Sequence, residues 1–398
     1  MTKRVAVTGM GIISSIGNTV EENFQSLITA SHGIATVKSI ATKHKDEIKV
    51  GEIKISNNEF IKQLKLSESN NYSRTALLAE VAVLEAIKDS NIKDINTYKT
   101  GLISATSVAG MDMTEKYYHS IFDSVEQQKY VTSHPAGDST TKIAEKLGIN
   151  GLVTTISTAC SSGANAIMLG TRLIKAGKLD RVVVGGSDCL SKFTINGFKT
   201  LMILSETNCK PFDKNRTGLN LGEAAAFLVL ESEELALKES KKIHGYVSGY
   251  ANANDAYHQT ASSDTGDGAT LTMEKALKVA NLIPQQIDYI NAHGTATQNN
   301  DSSESKAIRR VFGEEVPNLS STKAFTGHTL AAAGAIEAVY SLLALKHNIL
   351  FPNLNFESPI DESMIVPVTE VKNAKLNHVL SNSFGFGGNC TTLIFSKE

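Results

Sequence analysis

Apolar and polar positions alternate along this chain with two distinct periods. Short apolar, often β-branched runs at residues 4–8, 101–104, 152–156, 181–185 and 225–230 predict strands. Further runs at 243–249, 287–292, 318–321 and 391–395 predict strands in the later part. Helical spacing separates them at 72–88, 271–281, 302–312 and Leu330–His347, with Ser73 placed to cap the first of these. The runs at 101–104 and 152–156 read as buried strands. Strands that alternate with helices predict an α/β fold built on mostly parallel sheet.

Two helices stand out because they are apolar on every side. Thr158-Ala159-Cys160 precedes SSGANAIMLGTRLI, whose one charge through Ile174 is Arg172. Thr326-Gly327-His328 precedes TLAAAGAIEAVYSLLAL, whose one charge through Leu345 is Glu337. A helix apolar all round has to be buried on both sides. The echo predicts a duplicated fold whose halves meet at one site. The charged stretch 231–242 (ESEELALKESKK) reads as a solvated helix at the seam, which divides the chain into residues 1–240 and 241–398.

Composition narrows the class. A chain of 398 residues, 41% hydrophobic, can bury a large core. Its net charge of −2 gives no broad basic field for nucleic acid or an anionic membrane. Four cysteines in this length make no disulfide scaffold, and none forms a C-x-x-C pair. No signal-peptide stretch and no continuous run of 18 apolar residues is visible, so a cytoplasmic protein without a membrane span is expected. Metal-ligand spacing is absent among the histidines; His32, His44, His119 and His347 read as ordinary surface or core residues. In Gly9-Met10-Gly11-Ile12-Ile13-Ser14, Ser14 takes the third glycine position of a dinucleotide fingerprint, so this segment reads as a tight strand-to-helix turn.

Cys160 has the setting of a nucleophile. It follows a strand and opens a helix, whose unpaired N–H groups and partial positive charge favour a thiolate and can hold an oxyanion. Cys189, Cys209 and Cys390 lack that setting and read as inert. His293 (in NAHGTAT), Lys323 and His328 (in STKAFTGH) also stand where strands end, the edge at which α/β sheets bind ligands. The cluster Asn382-Ser383-Phe384-Gly385-Phe386-Gly387-Gly388 ends another strand-like run, with glycines that allow close backbone approach.

Together TACSSGANAI, NAHGTAT-x₃-D, SSTK-x-x-TGH-x-x-x-AAGAIE and NSFGFGG resemble the β-ketoacyl-acyl-carrier-protein synthases of the I/II type, over essentially the whole chain. KPFD-x-x-R-x-G with LGE (residues 210–223) and DAYH (255–258) match as well. The resemblance implies a thiolase-like α/β fold, two similar halves in five αβαβα layers. It implies an acyltransferase in which Cys160 takes an acyl primer from acyl-carrier protein. His293 and His328 would promote decarboxylation of malonyl-carrier protein, giving a 3-oxoacyl product two carbons longer. It further implies an oxyanion hole from the backbone N–H groups of Cys160 and Phe386. Lys323 would order the histidines and pair with Glu304, with Asp301 as support. Thr295 and Thr297 match pantetheine-binding residues, Phe384 a mobile gate, and Val108 a limit on acyl-chain length. No cofactor is implied beyond the carrier protein's phosphopantetheine. The implied partners are acyl-carrier protein and a second copy, or a chain-length factor in a heterodimer. Cys-His-His with a lysine resembles neither the thiolases nor the type III synthases.

The chain departs from the family pattern at Asn389-Cys390, where T-N is usual, at Ala224 in the G-E-A-A stretch, and in residues 133–138. GGSDCLSKFTINGFKTLMILS with RTGLNLGE resembles the aryl-polyene and flexirubin-type branch. Three readings follow: fatty-acid elongation, a ketosynthase of a pigment or other polyketide-like pathway, and a non-catalytic chain-length partner. The presence of Cys160 opposes the last.

Overall fold

The computed structural model describes residues 3–397. Ten strands form the main sheet: β1 (Val5–Ser14), β2 (Thr100–Ala105), β3 (Val153–Ile156), β4 (Arg181–Asp188), β5 (Ala224–Ser232), β6 (Gly245–Asn254), β7 (Tyr289–Asn291), β8 (Asn318–Ser320), β9 (His378–Gly385) and β10 (Asn389–Ser396). The helices that position the site are α1 (Arg74–Asp89), α2 (Gly137–Leu147), α3 (Ser162–Lys175), α4 (Lys192–Thr200), α5 (Asp267–Ala280), α6 (Gln298–Phe312) and α7 (Ala333–His347).

The strand order is β8-β7-β9-β10-β6-β1-β5-β4-β2-β3. Outward from its centre the sheet repeats itself, β1-β5-β4-β2-β3 on one arm and β6-β10-β9-β7-β8 on the other. The arms join where Ala6 pairs with Tyr246 and Val7 with Gly245. Helix α1 packs on β1, β5 and β4, and α5 packs on β6 and β10. Helices α3 and α7 touch each other and strands of both arms, so they form a central layer. The five-layer αβαβα arrangement expected from the resemblance is thus the observed one.

The sheet is mixed rather than mostly parallel. Parallel pairs are β2–β3, β2–β4, β7–β8 and β7–β9. Antiparallel pairs are β1–β5, β4–β5, β1–β6, β6–β10 and β9–β10. For β9 and β10 the reason is direct. Their connection is the short turn Phe386–Gly388, and a parallel partner would need a long crossover.

Other local expectations also change. Residues 8–14 are no turn; they continue β1, which is buried along its whole length. A Cβ on Gly9 would lie 2.2 Å from Ala86 O, and one on Gly11 would lie 2.0 Å from Ala82 O. These glycines let α1 lie directly on the strand. Strand β3 is an edge strand and partly exposed, not buried. At the seam only Glu233–Lys238 is helical, and Glu231 is buried against Arg181 at 2.7 Å. Residues Leu330–His347 are long and apolar enough to cross a membrane, yet 89% of that window is buried between the two arms of the sheet. The apolar surface of that helix faces protein, as its all-round pattern requires.

Candidate active site

Cys160 and His328 stand at equivalent places in the two halves. The chain before each takes a left-handed turn, with φ of +52° at Ala159 and +75° at Gly327. A non-glycine residue there is strained, and such strain gathers at functional turns. Helix α3 begins two residues after Cys160, and a 3₁₀ turn, Leu330–Ala332, leads from His328 into α7. The tips of these helices interlock through small residues. A Cβ on Gly163 would lie 2.8 Å from Ala331 O, and one on Gly334 would lie 2.8 Å from the Ala164 Cβ. This close approach puts His328 Nε2 2.9 Å from Cys160 Sγ.

His293 enters from the loop after β7. Its ring centre lies 5.5 Å from that of His328 and 5.6 Å from that of Phe384. Glu304 on α6 holds the loop from below, accepting from His293 N at 2.9 Å, Gly294 N at 2.8 Å and Asn382 Nδ2 at 3.1 Å. Asp301, one turn earlier, accepts from Phe212 N at 2.7 Å and Ala296 N at 3.1 Å. The expected Lys323–Glu304 pair is not formed. Lys323 donates to Glu337 on α7 and lies 3.4 Å from His293 Nδ1. Glu304 is already occupied by backbone N–H groups, and α7 carries Glu337 to the ammonium instead. Glu337 was legible in the sequence only as the single charge on an otherwise apolar helix.

Electrostatics set the resting state. Burial pushes the Cys160 thiol up to about 12, against the Lys323 charge and the nearby backbone N–H groups of Phe386 and Cys160, which favour the thiolate. The helix start thus does not yield a resting thiolate, because desolvation in a closed site outweighs the partial charge of a helix end. His293 is held well below 6.5 by burial, then by Lys323 and His328; His328 likewise by burial and Lys323. Both imidazoles are neutral at neutral pH. The Lys323 ammonium facing Nδ1 of His293 leaves the ring proton on Nε2. Burial raises Glu304 and Glu337 to about 7, opposed by backbone donors and by Lys323 respectively.

A cavity of about 330 Å³ opens over this centre, and Cys160, His293, His328, Thr295, Thr297 and Phe384 all line it. The Thr295 and Thr297 hydroxyls lie 3.0 Å apart, and Thr297 also caps α6. Phe386 stacks on Phe198 of α4, with ring centres 5.8 Å apart. Cys390, expected to be a bystander, lines the cavity as well, because the β9–β10 register sets it opposite Phe384. Val108 lies outside the cavity wall and belongs to the core beneath β4. A residue the sequence reading missed connects it to the site. Buried Asp188 accepts from Val108 N at 3.0 Å, Ser107 Oγ at 2.6 Å and Ala331 N at 2.8 Å. Its only signal was an acid closing the apolar run RVVVGGSD.

Comparison with known proteins agrees with this geometry. The family models Beta-ketoacyl synthase, N-terminal domain, and Beta-ketoacyl synthase, C-terminal domain, match residues 2–236 and 244–357. The 3-oxoacyl-acyl-carrier-protein synthase 2 of Staphylococcus aureus (strain N315) is 33% identical over 410 residues, 99% of this chain and 98% of that protein. Among solved structures, the ishigamide ketosynthase/chain length factor superposes with a TM-score of 0.93 at 28% identity, covering 100% of both chains. A chain of the solved complex of the ketosynthase ApeO with its chain length factor ApeC, from Xenorhabdus doucetiae, matches with a TM-score of 0.88 at 32% identity, covering 100% of this chain and 98% of that one. With the duplicated fold, the Cys-His-His centre and these matches in hand, the chain belongs to the β-ketoacyl synthase family and is an acyltransferase.

Proposed function

We propose that this protein condenses a Cys160-bound acyl primer with malonyl-acyl-carrier protein, releasing CO₂ and a 3-oxoacyl-carrier protein. The observation that carries this reading is the one cavity in which Cys160 Sγ meets His328 Nε2 at 2.9 Å, with His293 beside it. In the first step the sulfur attacks the primer thioester. Its proton passes to the departing pantetheine thiol, while His328 keeps its Nε2–H facing the sulfur. Malonyl thioester then binds with its carbonyl oxygen between the Nε2–H groups of the two neutral imidazoles. The C–C bond to the carboxylate breaks, CO₂ leaves, and the electron pair forms an enolate held by those donors. The enolate carbon attacks the acyl carbonyl, whose oxyanion is held by the N–H groups of Phe386 and Cys160. The Cys160 sulfur departs as a thiolate and takes a proton from water, the one proton the condensation consumes. No cofactor enters any step; Thr295 and Thr297 are suited to hold the pantetheine arm.

The elongation reading is supported by the full-length relatives named 3-oxoacyl-acyl-carrier-protein synthase 2. A pigment or other polyketide-like pathway is the second reading, favoured by the likeness to the type II PKS ketosynthase complex AntDE:AntF, with a TM-score of 0.91 at 26% identity. The carrier protein is the proposed substrate-bearing partner, as in the solved complex of the AntDE ketosynthase with its carrier protein. A second copy or a chain-length factor is the proposed subunit partner. Support comes from the open edge of β3, where Leu152 (41%) just before the strand and Val153 (36%) at its start are exposed.

The test is Cys160→Ala with mass spectrometry. Wild type gains a thioester adduct from acyl-carrier protein; the variant gains none yet still decarboxylates malonyl-carrier protein. Condensation of labelled malonyl units by the variant refutes the reading. A panel of saturated and aryl-polyene primers on carrier protein separates the two pathways.

A further inference from the structure

Behind the nucleophile, one amide oxygen collects three donors. Asn389 Oδ1 accepts from Ser161 Oγ at 2.7 Å, Asn165 Nδ2 at 2.9 Å and Asn252 Nδ2 at 2.7 Å. The donors come from the turn after Cys160, from α3 and from β6, while Asn389 opens β10. The cluster continues through Asn165 Nδ2 to Thr158 Oγ1 at 2.9 Å and through Thr391 Oγ1 to Asn165 Oδ1 at 2.9 Å. It therefore ties both sides of Cys160, Thr158 and Ser161, to the strand that follows the Phe386–Gly388 turn.

Residues 254–259 hold that turn on one side: Gly387 N–H donates to Gln259 O at 2.8 Å, Asn254 Nδ2 to Gly387 O at 3.0 Å and Asp255 N–H to Gly388 O at 2.8 Å, and none of these bonds reaches the Cys160 turn. Gly387 is exposed, with φ of +80°, and a Cβ on it would meet nothing within 4 Å. Beside it the packing is tight: a Cβ on Gly385 would lie 2.8 Å from Thr158 O and 3.1 Å from Cys160 N. The distance between Phe386 N–H and Cys160 thus depends on how the β9–β10 hairpin seats against the Cys160 turn. Asn389 is the polar tie at that seat.

We infer that Asn389 is a positioning residue that sets the oxyanion hole. Its oxygen fixes the hairpin against the nucleophile turn, so that the N–H of Phe386 and the N–H of Cys160 converge on one point. The inference rests on the reading that Cys160 is acylated. An oxyanion donor displaced from its place acts on the steps that pass through a tetrahedral carbon, acylation and condensation. It does not act on loss of CO₂ from malonyl thioester, which uses the two imidazoles.

Loss of the oxygen leaves no donor stranded. Ser161 Oγ can turn its one proton to Thr158 O, 2.8 Å away, and Asn252 Nδ2 also donates to Thr391 Oγ1 at 2.9 Å. Asn389→Ala is therefore expected to fold.

The test measures two rates in the full-length protein: acylation of Cys160 by acyl-carrier protein, followed by mass spectrometry, and conversion of malonyl- to acetyl-carrier protein. In Asn389→Ala, acylation falls about 10–100-fold, short of the loss of a whole oxyanion donor, and decarboxylation stays within about twofold. Ser161→Ala, which removes one donor without touching the hairpin, shows the same split at smaller amplitude, and decides the matter if Asn389→Ala does not fold. Equal losses in both rates, or no loss in acylation, overturn the inference. If wild type itself gains no adduct on Cys160, it is the condensing-enzyme reading that falls.

Discussion

Lys323 and Glu337 form an ion pair buried to 2% and 1% side-chain exposure, directly behind His293. Neither charge meets water, so each depends on the other. The ammonium also faces Nδ1 of His293 and so fixes which ring nitrogen points into the cavity. Structural support and catalytic tautomer are thereby joined in one contact.

Breaking that pair on one side should therefore be worse than removing it. Glu337→Leu leaves a buried ammonium and is expected to cost about 3–5 kcal/mol in urea unfolding. Lys323→Met with Glu337→Leu should recover most of that stability while decarboxylation falls roughly a hundredfold, the scale of a misplaced proton donor. If the double variant is no more stable than Glu337→Leu, the two residues do not act as a unit.

The resting thiol predicts a particular pH dependence of alkylation. With Cys160 pushed up to about 12, the thiolate fraction grows with every unit of pH below that value. Alkylation of Cys160 by iodoacetamide should rise about tenfold per unit from roughly pH 7 to 9. A plateau reached by about pH 8 would mean that a thiolate–imidazolium pair forms with His328.

Glycine content is uneven in its consequences. Gly11→Ala drives a Cβ into Ala82 O at 2.0 Å and Ala86 N at 2.6 Å, both backbone. It is expected to cost about 3 kcal/mol, the upper range for overpacking. Gly197→Ala lies in α4 with nothing within 4 Å of its new Cβ and should stabilise by about 0.5–1 kcal/mol. Thermal unfolding of the two variants checks both signs.

The proposed pairing of two copies at the β3 edge can be tested directly. Val153→Lys sets like charges across a two-fold pairing of this edge and should shift the protein toward monomer in sedimentation equilibrium. An unchanged mass distribution refutes a pairing of copies at this edge.

Much of the site could be read from the chain because its reactive residues sit at local punctuation. Cys160 and His328 each follow a tight turn, His293 stands between a strand end and Gly294, and period and glycine placement are properties of adjacent residues. The all-round apolar helices likewise announced a central layer, since α3 and α7 have no polar face to give to water.

What the chain by itself determined, then, is the set of reactive groups, their order, and the helices that must be buried. Tertiary structure alone decided which of two carboxylates, Glu304 or Glu337, neutralises Lys323, because both are buried and only packing sets which one lies within reach. It also decided that the sheet is mixed, that Val108 lies outside the cavity, and that three donors meet on Asn389. Above all it decided the state of the thiol. A helix start favours a thiolate, but the depth at which α3 and α7 interlock sets the desolvation cost. Burial is a sum over distant segments that no local pattern records.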